Sequence, residues 1–84
     1  MYEALISRYI KNLSIDDINN FANKNNMPLN NGEDQVIYVL IMNNWKDIYK
    51  GDPINVFNTL KMKVSENTYN NIIMLYNKYK GIIK

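Results

Sequence analysis

The seven-residue apolar run Val36 to Met42 reads as a candidate buried strand, but no second alternating run is available in these 84 residues for it to pair with. A strand needs a partner for its backbone groups. The run follows Glu33-Asp34 and extends to Trp45, and an acidic first turn is what a helix N-terminus favours. The spacing therefore predicts a helix over 33–45, apolar nearly all round and so placed in the middle of the fold. With its only strand candidate removed, the chain reads as all-α.

The flanking segments support that reading. Tyr2, Leu5, Ile6, Tyr9, Ile10 and Leu13 recur at steps of three and four, which makes 2–13 an amphipathic helix. Ser14-Ile15-Asp16-Asp17 follows as a cap with an acid at the third helical position, opening a helix over 15–25 that turns Ile18, Phe21 and Ala22 inward. Met27-Pro28 and Asn30-Asn31-Gly32 form the turn beyond it. Asp52-Pro53 starts a helix over 53–63, and Ser65-Glu66 caps a last one over 66–80, with Gly81 just past its end. The expected architecture is one domain, residues 1–84, folded as a compact bundle of five short helices around the apolar third. Its expected core is Leu5, Tyr9, Leu13, Ile18, Phe21, Val36, Leu40, Phe57, Leu60, Ile72 and Tyr76.

The run Leu13-Ser14-x-x-Asp17-Ile18, then Phe21-Ala22, then Met27-x-Leu29, resembles the opening of a family of short proteins from low-GC Gram-positive bacteria (Firmicutes), described only as a domain of unknown function. This chain has Asp17 where that family prefers Glu. The resemblance implies a small all-helical bacterial protein of the cytoplasm, and it carries over no catalytic residue.

Composition narrows the chemistry. There is no Cys and no His, so disulfides, thiol nucleophiles, imidazole bases and nearly every zinc or haem site are excluded. The expectation is a protein that is no enzyme, with no cofactor and no metal. The apolar run is far short of the roughly 20 residues that cross a bilayer, and Met1-Tyr2-Glu3-Ala4 lacks the basic start of a secretion signal, so no membrane is expected. Glu33-Asp34 and Asp52 stand where helix starts want acids, and no phosphate-binding glycine loop accompanies them. A helix-turn-helix over 15–45 fails because its second helix would be apolar and acid-led, with nothing to offer phosphates or base edges.

Two binding readings remain. Tyr69, Ile72, Tyr76, Tyr79 and Ile83 form a near-heptad row on the last helix, a seam for another helix in a partner or in a second copy as a homodimer. Interfaces favour Tyr and Trp, so Trp45, Tyr69, Tyr76, Tyr79 and Ile83 are the candidate partner-binding residues. The alternative is single-stranded RNA or DNA. Residues 61–84 carry five lysines against Glu66 alone, and Lys61, Lys63, Lys78, Lys80 and Lys84 lie among tyrosines on which bases could stack. Sixteen asparagines, with abundant Ile, Lys and Tyr, point to an AT-rich genome, which makes Lys and Tyr cheap and weakens both the lysine cluster and the tyrosine row as signs of function. Asn25, Asn26, Asn30 and Asn31 flank a turn where Asn tolerates left-handed geometry, while Asn19, Asn20, Asn70 and Asn71 read as polar helix surface.

Overall fold

The computed structural model describes residues 2–83, with side-chain environments from Glu3 to Lys78. Among the described residues the chain is all-α: α1 (Tyr2–Lys11), α2 (Ile15–Lys24), α3 (Glu33–Tyr49), α4 (Ile54–Lys63) and α5 (Glu66–Ile83), with no strand. α3 packs on α1, α2 and α4, while α5 packs on α4. The apolar run Val36 to Met42 is thus a helix that three others share, as the lack of a pairing strand required.

The helix ends show how asparagine punctuates this fold. α1 and α2 each stop at an Asn whose side-chain amide donates to the carbonyl four residues back. Asn12 reaches Arg8 at 3.0 Å and Asn25 reaches Phe21 at 2.8 Å, satisfying carbonyls that a helix C-terminus otherwise leaves open. Asn44 makes the same bond to Leu40 at 3.0 Å inside α3, and there the backbone leaves helical geometry (φ −135, ψ 16). A side chain inserted into the bonding ladder is a recognised cause of a kink. The stretch after the expected helix 33–45 is therefore helical beyond a bend, and α3 runs on to Tyr49. Asn26 takes the left-handed conformation anticipated for the turn, at φ 59.

The caps follow the sequence closely. Ser14 and Asp17 form a reciprocal capping box at 3.0 and 3.1 Å. Ser65 accepts from the Thr68 N–H at 3.1 Å. α4 starts one residue later than expected: Pro53 is its cap, and Asp52 accepts from the Ile54 N–H at 3.1 Å. α5 passes through Gly81 instead of ending before it. A lone glycine costs a helix only about 1 kcal/mol, too little to impose a stop.

The core is smaller than expected. Among the described residues the buried apolar side chains are Ile18, Ala22, Val56 and Leu60. Leu13, Val36, Leu40, Phe57, Ile72 and Tyr76 are half-buried. Leu5, Tyr9 and Phe21, expected inside, are exposed at 57%, 64% and 44%. Periodicity identified the apolar side of each helix correctly, but among the described residues α1 and α2 each pack on α3 alone, so the far edge of each stripe stays largely in solvent. Nor is α3 buried all round, since Val39 is 52% exposed.

Candidate docking groove

Two features stand out, one polar and one apolar. The polar one is centred on Glu33, the first residue of α3, which is 6% exposed. Its Oε1 accepts from the Asn30 N–H at 2.8 Å and from the Thr68 hydroxyl at 2.7 Å, and its Oε2 accepts from the Ser65 N–H at 2.8 Å. The network extends outwards. The Ser65 hydroxyl donates to Thr68 Oγ1 at 3.0 Å, and the Asn30 side-chain amide donates to Ser65 Oγ at 3.3 Å. One carboxylate therefore joins the turn before α3 to the start of α5. Burial alone would push the Glu33 carboxyl up, but the bonds from Ser65, Thr68 and Asn30 outweigh it and hold the group down at about 2.

Such a group cannot serve as a general base. Its pKa lies far from neutrality, and its oxygens are occupied by donors from the chain itself. Beside it, the Asn19 amide donates to Asp34 Oδ2 at 2.9 Å, tying α2 to α3 and lowering the Asp34 pKa. Asn19 is thus a tertiary contact and not the plain helix surface the sequence suggested. The Asn30 partner is local, three residues away, but Ser65 and Thr68 were not legible beforehand, because they lie 32 and 35 residues from Glu33 and nothing in their local pattern links them.

The apolar feature is a groove of about 1200 Å³ lined by residues of all five helices. α3 contributes Leu40, Ile41 and Trp45, α1 contributes Ile6 and Ile10, and α5 contributes Ile72 and Tyr76. α1 and α5 both border it, and among the described residues they do not pack on each other. The far wall is stiffened by Phe57 and Tyr76, whose rings meet edge to face with centroids 4.9 Å apart. At one rim the Lys50 ammonium pairs with Glu3 at 2.7 Å, joining α1 to the end of α3. Both partners are exposed, so the pair holds α1 weakly.

The total surface of the chain is large for its mass. A monomer of this mass exposes about 5200 Å², whereas this chain exposes 6140 Å², a surplus of roughly 900 Å². The radius of gyration, 12.3 Å, is close to the value of about 12 Å for a compact domain of this length.

The candidate partner residues divide. Trp45 and Tyr76 line the groove together. Tyr69 does not, and instead lies 5.7 Å beneath the Lys61 ammonium in a shallow cleft with Glu66 and Asn70. Tyr79 and Ile83, and with them Lys80 and Lys84, fall outside the described side chains. Lys61, Lys63 and Lys78 are exposed. Ile6, Ile10 and Ile54, which also border the groove, were not among the candidates, although the α1 stripe held the signal.

No protein-family model, curated protein or solved structure matches this chain. Among the described residues, no helix is long and apolar enough to cross a membrane, and no three His, Cys, Asp or Glu side chains gather where they could hold a metal.

Proposed function

We propose that this chain is a non-catalytic helical docking module of the cytoplasm whose groove receives an apolar helical segment of a protein. The observation that carries this reading is the size and lining of the groove. At about 1200 Å³ it exceeds the roughly 300–1000 Å³ of a small-molecule site. Its apolar walls offer what one face of an amphipathic helix requires. Trp45 and Tyr76 supply the aromatic anchors that interfaces favour.

The test is a pull-down of the full chain from lysate, with and without nuclease, beside an Ile54→Lys variant. Ile54 borders the groove and is 60% exposed, so the change leaves the protomer's core alone. Nuclease-resistant capture of a protein, lost in the variant, is the expected result. Capture unaffected by Ile54→Lys would remove the groove from the account.

A second reading, binding of single-stranded RNA or DNA along α4 and α5, is supported by Lys61 lying against Tyr69 with Lys63 exposed on the same helix. It requires salt-sensitive retention of an oligonucleotide. No shift at low salt and about micromolar protein would end it.

A further inference from the structure

We infer that Asn31 is a self-modifying site: its side-chain amide is lost spontaneously to the next backbone nitrogen, and the isoaspartate left behind loosens the Glu33 hub. The reaction needs a following residue with no side chain in the way, a following N–H that no acceptor holds, and a segment outside regular helix. Asn31 is the only one of the sixteen asparagines followed by glycine. Both residues are exposed in the turn before α3. Open space surrounds the place where a Cβ on Gly32 would stand. Among the described residues, no hydrogen bond engages the Gly32 N–H or the Asn31 side chain.

The other asparagines lack that combination. The N–H after Asn12 donates to the Ile10 carbonyl at 3.1 Å, that after Asn25 to Asn23 at 3.1 Å, and that after Asn26 to Ala22 at 2.9 Å. Asn30 holds its side-chain amide to Ser65 Oγ at 3.3 Å. The rest stand inside helices, where helical ψ keeps the next nitrogen away from the side-chain carbonyl. At Asn31 the chemistry balances with water alone. A base takes the Gly32 amide proton and the nitrogen attacks Asn31 Cγ. The N–Cγ bond forms, the Cγ–Nδ2 bond breaks, and ammonia leaves with a proton from solvent, closing a succinimide. Water then opens the ring. Opening at Cγ gives aspartate, and opening at the main-chain carbonyl gives isoaspartate, whose backbone is one methylene longer.

That methylene falls inside a ring closed by two hydrogen bonds. The Glu33 N–H donates to the Asn30 carbonyl at 3.0 Å, and the Asn30 N–H donates to Glu33 Oε1 at 2.8 Å. Asn31 and Gly32 span the ring, with Gly32 turning the chain through a left-handed φ of 88. A longer backbone cannot keep both bonds while α3 stays in place, and it sets a new carboxylate two positions from Glu33. Glu33 then holds the Ser65 N–H and the Thr68 hydroxyl less firmly, so the tie between α3 and α5 weakens as the protein ages.

Ageing the folded full chain in mildly alkaline buffer tests the proposal. Peptide mass spectrometry locates the exchange of NH2 for OH, enzymatic methylation detects isoaspartate, and hydrogen exchange reads the Ser65 amide. Position 31 should react more than about 10-fold faster than any other asparagine, at a rate that rises with hydroxide. In the modified fraction the Ser65 amide should exchange about 10-fold faster. Asn31→Gln, whose longer side chain disfavours the ring, should stay unmodified and keep Ser65 protected. Freshly prepared Asn31→Asp adds the charge without the methylene and should also keep it protected. An Asn31 that survives the ageing overturns the proposal. So does earlier reaction at another asparagine, or a modified chain whose Ser65 amide exchanges at the natural rate. Loss of protection in fresh Asn31→Asp as large as in the aged chain overturns it too, because charge and not backbone length would then be the cause.

Discussion

The two ends of this bundle are held together by different physics. Where α3 and α5 begin, a buried carboxylate takes hydrogen bonds from Asn30, Ser65 and Thr68, the last of them 35 positions away. Where α1 crosses α3, contact is apolar and partial, and the one named polar tie is an exposed ion pair. Among the described residues no buried side-chain polar atom lacks a partner, yet only four apolar side chains are buried. Among those residues the buried polar side chains are all satisfied, while apolar burial is incomplete. The first fixes one arrangement of helices, and the second leaves a face for something else to cover.

The sharpest way to break that contrast is Glu33→Ala. It removes the acceptor from the Ser65 and Asn30 N–H groups and from the buried Thr68 hydroxyl. The expected loss is about 3–4 kcal/mol, above the usual range for a point substitution. Urea unfolding followed by circular dichroism measures it. A loss under about 1 kcal/mol would show that the polar end is no better anchored than α1.

Acid should reproduce much of that effect without a substitution. The Glu33 pKa is lowered from 4.5 to about 2, so the folded state holds the ionised form more strongly than the unfolded chain does. Its contribution is fully present above pH 4.5 and is lost as pH falls through the window down to about 2. Its size is roughly 3 kcal/mol. Stability measured between those limits should fall in the natural chain and change much less in Glu33→Gln. Parallel profiles would assign the acid sensitivity to other carboxylates.

These two ends also differ in how far they could be read from sequence. Helix periodicity, the Ser14–Asp17 box and the Ser65 cap involve residues at most four apart, and the structure reproduces them. The all-α class followed from one missing strand partner. The acid at position 33 was recognised as suited to a helix start, but its role as a hub depends on where α5 docks, and no local pattern encodes that. The groove failed to be legible for a related reason. A stripe shows which side of a helix is apolar, and how much of it is covered depends on which helices arrive. Leu5, Tyr9 and Phe21 were assigned to the core because one chain was assumed to bury everything apolar it carries.

A smaller effect is expected at the second polar tie. Asn19→Ala removes the 2.9 Å bond to Asp34 from a half-buried position. A loss of about 1 kcal/mol is expected, typical of a hydrogen bond to a charged partner at a partly wet site. Asn20→Ala, exposed on the same helix, should change stability by less than about 0.5 kcal/mol. Equal effects would return Asn19 to ordinary helix surface.

The smallest effect belongs to α1. Leu5→Ala, measured at a protein concentration low enough for monomer alone, removes a side chain that is 57% exposed and borders no groove. It should cost under about 0.5 kcal/mol, against the 2–5 kcal/mol of the same truncation in a packed core. Native-state hydrogen exchange gives the companion measurement. Amides of α1 should open with a lower free energy than those of α3 near Glu33, because among the described residues α1 packs on α3 alone and is tied by one surface ion pair. If α1 were as well protected as α3 in dilute monomer, its apolar edge would be closed within the chain, and the contrast between the two ends would disappear.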